Sequence, residues 1–120
     1  MSLQTVTPGW IESGTGYTNF KNALVEEDTV VWEVSFRADF TLVNGGYDYI
    51  SNVWESLIQI NFGTYNLQFF DIDKSTENAS GPAIARQQFD YTIQGAFTHT
   101  VIIYLVVGLD RYYSDVVSTE

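Results

Sequence analysis

The stretch Val31–Val43, with the sequence VWEVSFRADFTLV, decides the fold because apolar and polar side chains alternate along it almost without a break. The apolar set is Trp32, Val34, Phe36, Ala38, Phe40 and Leu42, and the intervening polar set is Glu33, Ser35, Arg37, Asp39 and Thr41. Successive side chains of a β-strand point to opposite faces, so this pattern predicts one long strand with a single buried face. Asn44-Gly45-Gly46 follows and supplies the positive φ angles of a tight reversal, so the next strand returns antiparallel.

The rest of the sequence predicts further strands and one long loop. Trp54, Ile58 and Ile60 share one face of a second alternating strand. In residues 65–72 both faces carry apolar side chains, which predicts a third strand that is covered on both sides. Lys74 to Pro82 is polar and reads as a loop. Further strands are predicted over residues 88–94, over the very apolar residues 97–107, and over the edge segment 112–118.

The chain is predicted to form one all-β domain over residues 1–120, an antiparallel β-sandwich or jelly roll. At 120 residues it is long enough for one core, and 45% of its residues are hydrophobic. Several short strands at regular spacing, without a helical period, favour these two architectures. Residues 1–28 are less regular, and we expect an N-terminal arm with short strands there.

Charge and composition exclude several classes of binding partner and of functional site. The formal net charge is −10, so direct binding to nucleic acid or to an anionic membrane surface is not expected. The chain has no cysteine, which excludes disulfides, thiolate nucleophiles and cysteine-based zinc sites. Residues 1–9 do not resemble a secretion signal, and no stretch reaches the ~20 apolar residues of a membrane helix. We expect synthesis in the cytoplasm without export and no membrane insertion.

The aromatic residues near predicted turns are the main candidates for ligand binding. Large rigid rings next to glycine or charged residues stack on sugars or fill pockets of a partner protein. The alternative is that they cap the ends of the sandwich or are buried between subunits. The candidates are Trp10, Tyr17, Tyr47, Tyr49, Tyr112 and Tyr113.

One acidic segment has the alternating oxygen ligands that a calcium loop needs. It lacks the glycine that allows an EF-hand loop to turn at its sixth position, so an ordinary solvated acidic loop is the alternative. The candidate ligands are Asp71, Asp73, Ser75 and Glu77. We expect no other cofactor.

The sequence contains no recognisable catalytic arrangement. His99 is the one histidine and lies within an apolar strand, where a core or subunit-interface role is expected. Gly14-Thr15-Gly16 has neither the preceding strand nor the following helix of a phosphate-binding loop. The sequence therefore predicts a non-enzymatic protein.

The segment Gly9-Trp10-Ile11-Glu12-Ser13-Gly14-Thr15-Gly16-Tyr17, followed by Asp28 and a strand over 29–40, resembles the opening of the distal domains of phage tail-fibre and receptor-binding proteins. In those domains a Gly-Trp and a Gly-Tyr precede a strand that an acidic turn introduces. The chain departs from that pattern at Val31-Trp32-Glu33-Val34, and residues 45–120 add no matching motif. The resemblance implies a trimeric β head at a virion surface that recognises a host glycan or protein.

Three functions are consistent with these observations. The first is a structural or receptor-binding virion component that acts as a symmetric homo-oligomer. The second is a monomeric carbohydrate-binding module. The third is an acidic inhibitor that mimics nucleic acid in the basic groove of another protein.

Overall fold

A computed structural model describes residues 3–93 and 98–118, with Leu3 and Gln4 described by their backbone alone. This part of the chain forms nine strands and no helix. The strands are β1 (Leu3–Thr7), β2 (Trp10–Gly14), β3 (Tyr17–Asp28), β4 (Trp32–Val43), β5 (Tyr49–Ile60), β6 (Gly63–Lys74), β7 (Ala83–Ile93), β8 (Thr98–Gly108) and β9 (Arg111–Ser118). The predicted all-β class is confirmed.

The strands form two antiparallel sheets that pack face to face as a β-sandwich. Sheet A has the order β1-β3-β4-β5, and β2 pairs with β3 beyond the end of β1. Sheet B has the order β6-β7-β8-β9. From β2 onward each strand lies beside its neighbour in the sequence, except where the chain passes from sheet A to sheet B after β5. This order is that of two meanders, so the sandwich is confirmed and its jelly-roll alternative, which needs strands exchanged between sheets, is not what forms.

All the long strands run the full length of the sandwich, so its connections gather at two ends. One end, here called the loop end, carries the turn Thr15-Gly16, the turn 44–48, the loop 75–82 and the turn Leu109-Asp110. The first residues of β1 pair with Asp28, and the last of β9 with Val101, at the opposite end. The loop end is therefore clear of both described chain ends.

The core lies between the two sheets and includes five aromatic contacts that join one sheet to the other. Phe20 and Phe40 of sheet A both lie 4.9 Å from the ring of Tyr112 in sheet B. Phe36 meets Phe70 at 5.4 Å. Farther along, the ring of Trp32 contacts Phe89 and Tyr91, and its indole nitrogen donates to the buried Glu27 at 2.8 Å. The alternation predicted along β4 is confirmed, because Trp32, Val34, Phe36, Ala38 and Phe40 are all buried.

Two β-bulges account for the main errors of the pattern-based prediction. Asn22, at φ 53°, lies where the pairing of β3 with β4 shifts. The bulge breaks the two-residue period of this segment, so the pattern predicts an irregular arm where the structure has a 12-residue strand in the middle of sheet A. Glu55, at φ 58°, interrupts β5 in the same way. Trp54 consequently lies opposite Arg37 on the outer face, and Val53 packs against the core instead.

A third bulge corrects the prediction for residues 65–72. The pairing of β6 with β7 shifts between Leu67 and Phe69. Phe70 and Ile72 therefore pack against the core from the same face that carries Tyr65 and Leu67. The prediction that both faces of this strand are buried is wrong, because β6 is an edge strand and Tyr65 and Leu67 are exposed.

The bulge at Glu55 predicts which of two substitutions destabilises the protein more. A strand with uninterrupted alternation would predict the opposite order. Val53→Asp places a carboxylate against the core and is expected to lower the free energy of unfolding by about 2 kcal/mol or more. Trp54→Asp changes the outer face, and the expected loss is clearly smaller, about 1 kcal/mol or less. Urea denaturation of both variants measures the difference. A larger loss for Trp54→Asp than for Val53→Asp would contradict the register described here.

Candidate binding site at the loop end

Two buried acidic residues, Asp48 and Glu77, join the connections at the loop end, and we call this pair the carboxylate latch. Asp48 is fully buried and Glu77 is nearly so. The backbone N–H of Asp48 donates to Glu77 Oε1 at 3.0 Å, and the backbone N–H of Glu77 donates to the carbonyl of Asp48 at 2.9 Å. The latch therefore ties the turn 44–48 to the loop 75–82.

The remaining carboxylate oxygens of the latch hold the two flanking turns. Asp48 Oδ1 accepts from the N–H of Val43 at 2.7 Å, and its Oδ2 accepts from the N–H of Asp110 at 2.8 Å. Glu77 Oε2 accepts from the N–H of Leu109 at 3.0 Å. All four side-chain oxygens thus have backbone donors, which is the condition under which buried carboxylates are tolerated.

The latch accounts for an unusual turn between β8 and β9. Leu109 and Asp110 have φ values of 54° and 56°, the left-handed conformation that both central residues of a type I′ hairpin need. Asparagine, aspartate and glycine favour this conformation, whereas leucine does not. The two hydrogen bonds to the latch offset that cost and hold the Leu109 side chain 79% exposed at the molecular surface.

The fourth connection joins the same frame through the backbone. The N–H of Asn44 donates to the carbonyl of Gly16 at 2.9 Å. The turn Thr15-Gly16 is thereby linked to the turn 44–48, which contains Asp48. All four connections at the loop end belong to one hydrogen-bonded unit.

Burial is the main cause of a raised pKa at Asp48. The N–H groups of Val43 and Asp110 lower this pKa, while the neighbouring carboxylates of Asp110 and Glu77 raise it. The net direction is upward, so ionising Asp48 is less favourable in the folded protein than in the unfolded chain.

The sequence-predicted aromatic residues divide between the loop end and other places. Tyr17 and Tyr49 lie on the outer face of sheet A next to the loop end, Tyr47 lies in the turn 44–48, and Tyr113 lies on the outer face of sheet B beside the Leu109 turn. All four are exposed. Trp10 is also exposed on sheet A, but it pairs with Lys21 near the middle of the sandwich.

Tyr112 does not belong with the exposed aromatic residues among which the sequence places it. Its ring contacts both Phe20 and Phe40, at 4.9 Å from each, so it packs against the core from β9. Neighbouring strand residues point to opposite faces, which is why Tyr112 faces inward and Tyr113 faces outward. The sequence reading treated the two tyrosines alike because it did not fix the phase of β9.

Two pockets flank the latch. The Tyr17 pocket, about 360 Å³, lies between the turns Thr15-Gly16 and 44–48 and next to Asp110. The Leu109 pocket, about 420 Å³, lies between the loop 75–82 and the Leu109 turn and is bordered by Tyr113 and Arg111. Both volumes fall within the range of about 300–1,000 Å³ that is typical of small-molecule sites.

The predicted calcium ligands do not all face one point. Asp73 pairs with Arg86 at 2.7 Å, and Asp71 accepts from the N–H of Ile72 at 2.8 Å. Glu77 is turned inward to the latch, and the carbonyl of Ser75 accepts from the N–H of Ile50. Within residues 3–93 and 98–118 no three acidic or histidine side chains form a metal-binding group. Calcium binding stays a prediction.

Sequence reasoning missed Asp48, which is the centre of the site. It lies between two exposed tyrosines after a glycine turn, where an aspartate is usually solvated. The sequence predicts Glu77 as an oxygen ligand, and in the structure its carboxylate accepts from the backbone N–H groups of Asp48 and Leu109. A local pattern does not reveal either role, because the partners lie 5 to 62 residues away along the chain.

The outer face of sheet B carries a second feature, an apolar strip that is interrupted by a row of Arg86, Tyr104 and Asp115. Cross-strand pairs place Ile84 beside Val106, Val106 beside Tyr113, and Ile102 beside Val117. Val106 is only 7% exposed, and it lines the Leu109 pocket together with Pro82 and Tyr113. An outer sheet face is normally polar, so this strip is a candidate contact surface.

The outer face of sheet A is different in character. Glu26, Asp28 and Glu33 line a shallow groove beside Leu57. This groove carries much of the acidic charge on that face.

In the described part of the chain no helix has the length and apolarity needed to cross a membrane.

Comparisons with known proteins bear on the fold alone. No family model and no curated protein matches the chain. Among solved structures, the chain is similar to the crystal structure of a hypothetical protein from Listeria monocytogenes EGD-e, with 14% sequence identity and a TM-score of 0.60. The similarity covers 94% of this chain and 75% of the Listeria chain, so nearly all of the sandwich has a counterpart there.

The raised pKa of Asp48 predicts how stability changes with pH. Its stabilising contribution is fully present below the unfolded pKa of about 4 and is lost as pH rises through the raised folded value. Asp48→Asn does not titrate, and its amide turns N–H atoms toward the N–H of Val43 or Asp110, so we expect it to lose about 1–3 kcal/mol. The gap in unfolding free energy between wild type and Asp48→Asn should widen as pH falls from 7 toward 4.

Denaturation curves at several pH values measure this gap. Asp115→Asn is the matched control, because Asp115 is exposed and accepts from the adjacent N–H of Val116. A gap for Asp48→Asn that shrinks on acidification would contradict the assignment.

Proposed function

We propose that this chain is a non-enzymatic structural or receptor-binding component of a virion, of the tail-fibre, baseplate or capsid-surface type, and that it acts as a symmetric homo-oligomer. The loop end is the surface that meets a host glycan or protein. The single observation that carries the proposal is the latch, which holds four connections as one unit and leaves tyrosines exposed around it.

The position of the loop end supports a recognition role. A rigid scaffold that presents loops is a common design for binding sites, because fixed loops lose little conformational entropy on binding. Both described chain ends lie at the opposite end of the sandwich, so the loop end is free to approach a cell surface. The resemblance of residues 9–40 to phage distal domains is the reason for proposing a virion context.

The apolar strip on sheet B supports self-association. Four strands at about 4.8 Å spacing and eleven residues at about 3.3 Å make the whole outer face of sheet B roughly 700 Å², and the apolar strip is one part of it. Stable protein interfaces bury about 800 Å² on each partner, so one such face is close to the size required. A trimer is the state that the resemblance implies.

A monomeric carbohydrate-binding module is the second candidate, and the exposed tyrosines at the loop end favour it equally. The two proposals differ in the role of sheet B. A module that works alone has no use for an apolar outer strip, whereas an oligomer buries it.

The mass of the protein in solution distinguishes the oligomeric virion component from the monomeric module. Wild type is expected to elute as a salt-resistant oligomer in size-exclusion chromatography with light scattering. Val117→Asp, at a position 50% exposed on the strip, is expected to shift the mass to that of a monomer with little loss of thermal stability. Leu57→Asp is the matched control, because Leu57 is 58% exposed on the outer face of sheet A, and it should leave the mass unchanged.

A wild-type monomer would contradict the oligomer and favour the stand-alone module. An oligomer that survives Val117→Asp but is lost with Leu57→Asp would place the interface on sheet A instead.

A further inference from the structure

We propose that the outer face of sheet B binds the same face of a second copy of this chain. In this arrangement β8 of one copy lies over β8 of the other, and a two-fold axis runs between the two sheets along the strand direction. The inference rests on the proposed homo-oligomer and specifies how its subunits meet. Such a contact is isologous and forms a dimer, rather than the trimer that the resemblance implies.

The outer face of sheet B contains a grid of three rows, each with one side chain from β7, one from β8 and one from β9. Cross-strand pairing places all nine side chains on the face that points away from the core. From the loop end, the rows are Ile84, Val106 and Tyr113; Arg86, Tyr104 and Asp115; and Gln88, Ile102 and Val117. The middle row therefore has the order cation, aromatic ring, anion, and the rows on both sides of it are mainly apolar.

The order of charges in the middle row selects one arrangement of the two sheets. A two-fold axis along β8 exchanges β7 with β9, so Arg86 of each copy lies opposite Asp115 of the other. An axis across the strands would place Arg86 opposite Arg86 and Asp115 opposite Asp115. An axis between β7 and β8 would lay β6 over β9 and place Asp71 opposite Asp115. Like charges disfavour the second and third arrangements, so the first is the one that charge complementarity supports.

The two flanking rows fit the same arrangement. The exchange of β7 with β9 brings Ile84 opposite Tyr113, and it brings Val117 opposite the aliphatic part of Gln88. Side chains of β8 meet their own copies, so Ile102 packs on Ile102. These contacts lie on both sides of the two ion pairs and exclude water from them, as the surroundings of a strong interface contact do.

Arg86 is already held in place within one copy. Its Nε lies 2.7 Å from Asp73 Oδ2, its Nη1 donates to Gln88 Oε1 at 2.6 Å, and its guanidinium lies 4.0 Å from the centre of the Phe69 ring. A guanidinium has five N–H donors, so donors remain for a second carboxylate. Asp115 is exposed on the same row. A side chain that is fixed in advance loses little entropy when the partner binds.

The net charge of the chain also favours this face. Two copies that each carry a formal charge of −10 repel each other, so a contact needs a surface on which cations offset the acids. The outer face of sheet B has three of the five lysine and arginine residues, namely Lys74, Arg86 and Arg111. The outer face of sheet A carries the acidic groove instead.

The size of the contact sets the expected behaviour in solution. Three strands at about 4.8 Å spacing and eleven residues at about 3.3 Å cover roughly 500 Å² on each copy. A total near 1,000 Å² is at about the lower limit for a specific interface. We therefore expect a dimer whose fraction rises with protein concentration.

The test is sedimentation velocity of the full chain over a range of concentrations, with two charge variants measured alone and mixed. Asp115→Arg and Arg86→Asp each place like charges opposite each other, so each is expected to weaken dimerisation about tenfold or more. Mixed in equal amounts, the two variants are expected to form a heterodimer, because both pairs at the contact then have opposite charges.

Glu33→Arg is the matched control for the change of charge. Glu33 is exposed on the outer face of sheet A, so its replacement should not weaken dimerisation. Both Asp115→Arg and Glu33→Arg lower the net negative charge by the same amount. A loss of dimer in Asp115→Arg alone therefore reports the position of the charge and not the total.

Chemical crosslinking tests the arrangement without changing Arg86. The chain has no cysteine, so one introduced cysteine reports one position. Tyr104→Cys lies at the axis and is expected to give covalent dimers with a short bismaleimide reagent. Asp71→Cys, in the same row on β6, lies about 19 Å from its copy across the axis and is expected to give none.

Several results would overturn this arrangement and leave the proposed homo-oligomer standing. They are a wild-type trimer, a dimer that Asp115→Arg does not weaken, folded variants that stay monomeric when mixed, and crosslinking of Asp71→Cys as readily as of Tyr104→Cys. A wild-type monomer at every concentration would overturn the proposed oligomer itself.

Discussion

The loop end depends on the burial of two carboxylates, Asp48 and Glu77, against backbone N–H groups. Removing a charge from water is costly, and these two acids lie side by side, so the arrangement is stable only because every carboxylate oxygen has a donor. The same hydrogen bonds hold Leu109 in a conformation that leucine otherwise avoids. The latch thus converts four separate hairpin connections into one surface of fixed shape. The long strands and aromatic core position that surface but do not by themselves order it.

The parts of the fold that follow from local periodicity were predictable, and the parts that depend on single backbone irregularities were not. The alternation of β4 predicted its length and its buried face, and the apolar run 97–107 predicted the strand that forms β8. The bulges at Asn22 and Glu55 each change the phase of a strand, so the alternation on either side of them pointed to the wrong residues. Trp54 and Val53 exchange roles for this reason, and β3 was not recognised as a long strand.

The candidate site was predicted in its aromatic residues but not in the interaction that organises them. Tyr17, Tyr47, Tyr49 and Tyr113 border the loop end, which agrees with a rule that places exposed rings near turns. Tyr112 fails the same rule because one step along a strand reverses the direction of a side chain. Asp48 escaped notice because its partners come from turns far away in the sequence. These placements divide the molecule into a loop end with exposed tyrosines, an outer face of sheet B that carries the apolar strip, and an outer face of sheet A that carries the acidic groove.

Amide hydrogen exchange of the wild-type protein tests the central claim, that the latch makes the loop end one rigid unit. The N–H groups of Val43, Asp48, Leu109 and Asp110 donate to the latch, so they are predicted to exchange slowly and at similar rates although they lie in or beside turns. In Asp48→Ala, all four are predicted to lose protection together, while the amides of β4 and β8 within the core stay protected. Rapid exchange of Leu109 and Asp110 in the wild type, at the rate of an open hairpin turn, would contradict the account.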